Sequence, residues 1–409
     1  MKCRFCGNSE LQVFLDLGMS PLANSFLKQS DLNNAESFYP LCSYFCQNCF
    51  LVQLDEFEPP KNIFSNYVYF SSFSDTWNSH IESFVSSLIS KFNISKERQV
   101  IEIASNDGYL LKHFKKHEFP VLGIEPAANI AKVAESNGIP TVNKFFGIET
   151  ANELSSKGRK ADVLIAFNVL PHVPNLTEFV QGLKILLNQK GLLVVQFSAY
   201  LMSLIKYTEF DMIYHEHFSY FSLHTLEKIF SKNDLSIFDV EKLPVHGGSL
   251  RLFISHKDDS TFTKTENVSK FLEQEKEFGL QEPLFYKEFS KKVLSVKQEI
   301  WKFFISSKNE NKKIVCYGAP AKGNTLLNFC GIGKDFIDYT VDKNDHKQNL
   351  FLPGTHIPIF SPEKVKSTKP DYLLILPWNL KDEIIEQMSF IREWNGKFVV
   401  LLPRIEIID

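Results

Sequence analysis

Twice in this 409-residue chain short apolar runs alternate with amphipathic stretches, and that alternation limits the fold more than any other feature. Apolar runs of roughly four to eight residues suit buried strands, and apolar residues recurring every three or four positions suit helices. The first succession starts at Gln99 with a strand to Ser105, a turn at Asn106-Asp107-Gly108, a helix from Tyr109 to His117 and a strand from Val121 to Pro126. A short third strand falls at Ile139 to Val142. Two more follow at Ala161 to Leu170 and Gly191 to Ser198, separated by an amphipathic helix near Leu176 to Leu187. Crossover helices must lie on the faces of the sheet they connect, so this order predicts an α/β, doubly wound parallel sheet. The second succession is smaller, with strands at Lys313 to Gly318, Tyr339 to Asp342, Asp371 to Pro377 and Lys397 to Pro403. Between the two, Thr263 to Lys308 is charged, with Phe, Leu and Val at helical spacing. It reads as a linker helix or helix pair, a solvated amphipathic connector.

A chain this long exceeds one ordinary core. We divide it at residues 1–75, 76–262 and 263–409. A net charge of -3 without a long basic stretch excludes a nucleic-acid partner. No apolar run is long enough to span a bilayer. The opening Met1-Lys2-Cys3 does not resemble a secretory leader, which points to the cytoplasm, where thiols stay reduced. Either a monomer or a homo-oligomer fits.

Four of the seven cysteines form two pairs with two-residue spacers, Cys3 with Cys6 and Cys46 with Cys49. That spacing lets both thiolates of a pair face one ion, and two pairs complete a closed tetrahedral site for zinc. With every position filled by protein the metal is structural, and it helps fold a small N-terminal segment. Cys42 reads as a buried small residue. Next, Asn66 to Ser72 is strand-prone, with a helix cap near Ser74 or Asp75. Thr76 to Phe92 has the periodicity of a helix in Trp77, Ile81, Phe84, Val85 and Leu88.

Ligands of doubly wound sheets bind beyond the carboxyl ends of the strands, where the strand order reverses. Glu125 falls roughly twenty residues after the first strand, where an acid binds ribose hydroxyls. The first turn lacks the glycine fingerprint that cradles a pyrophosphate. It offers Ser105, Asn106, Asp107 and Gly108 after an acidic strand residue, Glu102. That suits a cofactor with an adenosine ribose and no diphosphate, namely S-adenosylmethionine. Asn168 and His172 lie at the carboxyl end of the Ala161 strand, where this fold does chemistry. Further on, Tyr214 to Tyr220 packs two phenols, two imidazoles and a carboxylate into seven residues. Such groups move protons and hold a developing oxyanion. An extended chain sets Tyr214 and Glu216 opposite His215 and His217. A helical one brings Tyr214 and His217 to one face. In the second succession, a glycine-bearing turn with Lys322 and Asn324 at a helix start is a candidate anion site.

At this point the motifs resemble a family, the bacterial S-adenosylmethionine-dependent nucleotide-sugar C-methyltransferases. The resemblance covers nearly the whole chain. It is carried by the cysteine pairs with Pro21 to Phe26 between them, Ser105 to Leu110, Asn168 to Pro174, Tyr214 to Tyr220, His246 to Arg251 and Tyr317 to Gly323. Asp342 to Lys347 and Pro353 to Pro358 extend it. It implies an N-terminal zinc-binding segment, a class I methyltransferase (Rossmann-like) domain and a smaller C-terminal Rossmann-like domain. It also implies a dTDP-4-keto-deoxysugar acceptor, methylated at C3 beside the ketone. By resemblance His217 is the base, with a tyrosine as the alternative, and Glu216 orients it or shares protons with it, while Tyr214, His172 and Tyr69 line the sugar and steady the oxyanion. Arg251, Lys322 and Asn324 would hold the nucleotide-sugar. Ala104 and Asn106 depart from the pattern of many other methyltransferases, which have glycines there. Two other readings compete: an O- or N-methyltransferase, and a non-catalytic nucleotide-binding module.

Overall fold

The computed structural model describes residues 1–65, 71–73, 75–244 and 247–409. Among the described residues the strands form three sheets. The N-terminal segment contributes β1 (Leu11–Ser20), β2 (Tyr39–Cys46) and β3 (Val52–Leu54), paired antiparallel in that order. Among the described residues no helix is long and apolar enough to cross a membrane.

The second sheet holds the first predicted succession: β4 (Val100–Ile103), β5 (Val121–Ile124), β6 (Thr141–Val142), β7 (Ala161–Phe167) and β8 (Leu187–Phe197). These run parallel, as crossover helices on both faces require. After β8 the chain passes through β9 (Ser219–Tyr220) and returns as β10 (Leu235–Leu243) and β11 (Ser249–His256). The order is β10-β11-β8-β7-β4-β5-β6, with β11 antiparallel to both neighbours. One reversed strand in an otherwise parallel seven-stranded sheet completes a class I methyltransferase fold. The short β9 does not join this sheet. It pairs with β3, Val52 opposite Tyr220, and so becomes the fourth strand of the N-terminal sheet.

The helix Asp75–Phe92 buries the predicted Trp77, Ile81, Phe84, Val85 and Leu88 against the second sheet. The third sheet contains β12 (Ile314–Tyr317), β13 (Thr340–Val341), β14 (Ile359–Phe360), β15 (Tyr372–Ile375), β16 (Lys397–Val400) and β17 (Glu406–Ile408). Its order is β14-β13-β12-β15-β16-β17, parallel except for β17.

The linker differs from the solvated connector expected. It forms helices Glu266–Phe278 and Pro283–Asn309, and the second buries Tyr286, Phe289, Val293, Ile300 and Phe304. Tyr286 stacks on Phe45 at 4.6 Å and Phe289 on Phe14 at 5.0 Å, so this helix packs against the N-terminal sheet as well as the third sheet. Glu275, also buried, accepts hydrogen bonds from Tyr200 and from the amides of Leu223 and His224 at a helix start. A periodic charged stretch reads as surface because periodicity does not reveal that two other domains sit against its apolar side. The N-terminal segment also reaches the third domain directly. Leu27 and Phe351 exchange backbone hydrogen bonds, and Glu36 accepts from the Gly354 amide and lies 2.9 Å from His356 Nε2.

Candidate active site

Both parallel sheets reverse their strand order beside their first strand. In the second sheet β4 pairs with β5 on one side and β7 on the other, and in the third β12 pairs with β13 and β15. The loops leaving these strands open onto one shared cavity of about 680 Å³. It is lined by Ala104, Asn106 and His172 from the first reversal and by Gly318, Lys322 and Asn379 from the second. Pockets at such reversals are where this architecture holds ligands.

At the first reversal Ala104 and Asn106 take left-handed backbone angles, φ 54° and 50°. These two positions thus keep a glycine-like path without being glycine. Glu125 lines the cavity at the end of β5, with one carboxyl oxygen accepting from the Asn106 amide and the other from Ala127, each at 2.9 Å. Both oxygens keep a second lone pair, which suits two ribose hydroxyls. Burial pushes this carboxyl up to about 7, against the pull of the two amides. The site therefore fits the ribose of S-adenosylmethionine. Asn168 also lines it in a left-handed conformation, its side chain accepting from the Ser198 amide.

Other predicted cofactor residues sit behind this wall. Glu102 is fully buried and does not line the cavity. Burial, with Asp107 and Glu125 nearby, pushes it well above the carboxylate range, and only the Tyr109 phenol relieves it. Asp107 is occupied by the amide and hydroxyl of Ser72, and Ser105 packs under Gly123. Gly108 takes φ +78°, where a Cβ would meet Ile139 at 2.8 Å. These four shape the turn rather than face a ligand. Sequence position alone cannot tell the wall of a turn from its lining.

The Tyr214 to Tyr220 stretch is neither strand nor helix at its start. The His217 amide donates to the Tyr214 carbonyl, closing a turn that brings the two side chains together as the helical spacing would. The Tyr214 hydroxyl lies 2.8 Å from His217 Nε2, and the rings sit 4.0 Å apart. His217 Nδ1 lies 2.9 Å from the Met212 carbonyl, which can only accept. The neutral ring therefore carries its proton on Nδ1 and a lone pair on Nε2. His172 Nδ1 is fixed likewise, 2.8 Å from the Glu216 carbonyl, and its ring stands 4.8 Å from that of His217. Burial pushes His172 down to about 4 and His217 well below 6.5, so both are neutral imidazoles at neutral pH.

Glu216 is placed differently from the expectation. Both nitrogens of His217 are taken by Met212 and Tyr214, so the carboxylate does not orient that ring. It accepts instead from Asn24, at 2.6 Å, and the Glu216 carbonyl orients His172. His215 turns away to the Pro40 carbonyl.

At the second reversal Lys322 is buried in the first turn of helix Ala321–Cys330 and lines the cavity. It hydrogen-bonds Asn379, and its ammonium sits 4.1 Å from the Trp378 ring centre. Burial pulls it down to about 8, while Asp211 and Glu209 hold it up. Those acids come from the other domain, and Asp211 accepts from Trp378 Nε1 at 2.8 Å. Asn324, two residues along, is buried and does not line the cavity. Arg251 is likewise no ligand-facing residue. It stacks 4.3 Å over Phe84 and hydrogen-bonds Gln196, Glu241 and His80 inside the second domain. Sequence reasoning missed Asn24, Met212 and Asp211. The acids preceding Tyr214 were visible signals; the carbonyl of Met212 had none.

The four paired cysteines converge. Their sulfurs lie within 4.8 Å of one another, with Cys3–Cys49 and Cys6–Cys46 at 3.5 Å, and Cys42 stays outside the cluster. A tetrahedron with Zn–S bonds near 2.3 Å has sulfur–sulfur edges of about 3.8 Å. Disulfide sulfurs would be about 2.05 Å apart. The set fits zinc. Tyr69, its neighbour Tyr67 and His246 lie outside the described residues.

Three family models match successive parts of the chain. Residues 3–64 match the family model described as "Putative zinc binding domain", 77–240 the "Methyltransferase domain" and 244–403 the "C-methyltransferase C-terminal domain". The chain is 32% identical over 408 residues to C-methyltransferase NovU of Streptomyces niveus, covering 100% of this chain and 97% of that one. Among solved structures, magnesium protoporphyrin IX methyltransferase from Synechocystis PCC 6803 aligns over 44% of this chain and 79% of its own, with a TM-score of 0.34 and 16% identity. The PH0226 protein of Pyrococcus horikoshii OT3 aligns over 49% of this chain and 100% of its own, with a TM-score of 0.38 and 16% identity. Likenesses that partial carry no argument about the acceptor.

Proposed function

The chain belongs to the S-adenosylmethionine-dependent C-methyltransferases with an N-terminal zinc-binding domain, and from that premise we propose that its acceptor is C3 of a dTDP-4-keto-deoxysugar. Carbon as the acceptor atom removes the O- and N-methyl readings and the non-catalytic module. The observation that supports a ketosugar is the pairing of a neutral His217–Tyr214 dyad with a buried lysine across one cavity.

A ketone at C4 acidifies the proton on C3. His217 Nε2 takes that proton, and Tyr214 gives up its hydrogen bond to Nε2 to donate to the C4 oxygen, while His172, whose one N–H is held by the Glu216 carbonyl, packs beside the His217 ring. The imidazolium formed is paired with the enolate created in the same event, which offsets the low basicity that burial imposes on the ring. S-adenosylmethionine supplies the electrophilic methyl group to C3. Lys322 and the unpaired amides at the start of its helix hold the diphosphate. Glu216 acts through its carbonyl, which sets the His172 ring.

Solvent exchange tests this. With S-adenosylhomocysteine bound, so that no methyl can transfer, the protein should wash deuterium from heavy water into C3 of a dTDP-4-ketosugar. Tyr214→Phe should slow that exchange without abolishing it. A panel of dTDP-4-ketosugars giving neither exchange nor methylation would overturn the proposed acceptor.

A further inference from the structure

We propose that Arg4 is a positioning residue for the reaction, tying both histidine-bearing loops to the metal-binding knuckle. This rests on the reading of His172 and His217 given above. Arg4 lies inside the first cysteine pair, between Cys3 and Cys6. Its Nη1 donates to the Pro174 carbonyl at 2.8 Å, two residues beyond His172. Its Nη2 donates to the Leu54 carbonyl, and Leu54 in turn donates its amide to the Phe218 carbonyl, the residue after His217. The guanidinium also sits 5.5 Å from the Phe218 ring centre. One planar group therefore touches the end of one loop directly and reaches the other through Leu54, the last residue of β3, and the Phe218 ring.

The two loops already hold each other. The Phe218 amide donates to the Pro171 carbonyl at 2.7 Å, and His172 is tied to the Glu216 carbonyl. Internal bonds of this kind fix the histidines relative to each other but not relative to the rest of the molecule. Arg4 supplies that second anchor, because its backbone is locked by the cysteine cluster and by Gln53, which accepts from the Arg4 amide at 2.9 Å.

The energetics point the same way. No carboxylate lies within ion-pair distance of Arg4 among the described residues, and its Nε is buried without a partner. Asp55 and Glu56 act on it only from farther away. A half-buried cation held by carbonyls is a poor stabiliser of a fold. Its value lies in the rigid fork that two carbonyl groups can read, a shape lysine lacks.

The test uses full-length zinc-loaded protein with Arg4→Gln and Arg4→Lys. Both should keep about one zinc per chain. S-adenosylmethionine affinity and ketosugar KM should stay within about twofold, while kcat falls roughly tenfold to a hundredfold, as for a misplaced catalytic group. Deuterium exchange at C3 should fall by the same factor as kcat. Arg4→Lys reaches one carbonyl only and should lie between wild type and Arg4→Gln. If Arg4→Gln sheds its zinc, Arg4→Lys decides by the same measures. An unchanged kcat in a zinc-loaded variant overturns the proposal, and so does a parallel fall of kcat, cofactor affinity and melting temperature. A wild type that neither methylates nor exchanges the ketosugar defeats the substrate reading and this proposal with it. An active wild type matched by Arg4→Gln defeats this proposal alone.

Discussion

The two strand-order reversals face one cavity, yet they carry opposite chemistry. The first, beside β4, is a place where charge is suppressed: His172 and His217 are held neutral, and Glu125 is pushed to about 7. The second, beside β12, gathers cations, with Lys322 and Lys347 both buried at the mouth. Lys322 stays near 8 rather than lower because Asp211 and Glu209 of the neighbouring domain face it. The same sheet architecture fixes where ligands bind in both, and the side chains at each mouth decide what binds. A dry, neutral mouth suits moving a proton off carbon; a cationic mouth suits holding a diphosphate.

If the first mouth alone does the chemistry, His217→Ala should bind both ligands nearly normally and lose turnover by about 10²- to 10⁴-fold, with C3 exchange abolished. Stopped-flow methylation and heavy-water exchange measure both. Wild-type exchange with methylation still lost would move the base to another residue, and Tyr214 would be the first suspect. Removing the metal should disturb the comparison from outside. Cys46→Ser should lose zinc, measured by atomic emission, and destabilise the N-terminal segment, because metal binding and folding are coupled there. Full zinc retention in that variant would contradict the four-sulfur site.

The second mouth predicts a cleaner separation. Lys322→Ala should raise the ketosugar KM by the equivalent of about 1.5–3 kcal/mol and leave cofactor affinity alone, since a hydrogen bond to a charged group is lost. The wild-type KM should also rise with pH above about 8, because the ammonium loses its proton there while the diphosphate keeps its charge. A flat KM across that range would remove Lys322 from the substrate. The converse holds for Glu125. Its alanine variant should weaken S-adenosylmethionine by about 1.5–3 kcal/mol without changing the sugar KM. The ribose and the sulfonium favour the carboxylate form, so wild-type cofactor affinity should fall as pH drops through about 7, where that carboxyl takes up a proton. Calorimetry on Glu125→Gln should show no such fall.

Much of this comparison was legible in the sequence. Strand and helix periodicity placed β4, β5, β7, β8, β12, β15 and β16 to within a few residues, because buried parallel strands are nearly continuous apolar runs. Cysteine spacing marked the four sulfurs that converge. What stayed hidden depended on partners distant in sequence. Ser219 and Tyr220 read as part of the second domain, yet they pair with β3, and a two-residue strand has no period of its own. Glu216 reads as the orienter of its neighbour His217, yet a turn directs the two apart and gives the carboxylate to Asn24. Arg251, in a motif near the cavity in sequence, is spent inside the sheet on Gln196 and Glu241.

The smallest effect concerns the backbone of the two turns. Gly318 has φ +90°, and a Cβ there would meet Pro377 Cδ at 2.6 Å, so this mouth needs its glycine. Ala104 does the equivalent job at the first mouth with φ 54° and an ordinary side chain. A left-handed alanine costs about 1 kcal/mol. Ala104→Gly would relieve that cost, but it would also free the unfolded chain by about 0.4–1 kcal/mol. The two nearly cancel, so Ala104→Gly should change stability by less than about 0.5 kcal/mol. Gly318→Ala should cost more than that, since strain and collision add. Chemical denaturation of both variants compares them directly. A large loss in Ala104→Gly would mean the methyl group packs against something that matters, and the alanine at position 104 would then be a feature of the cofactor wall itself.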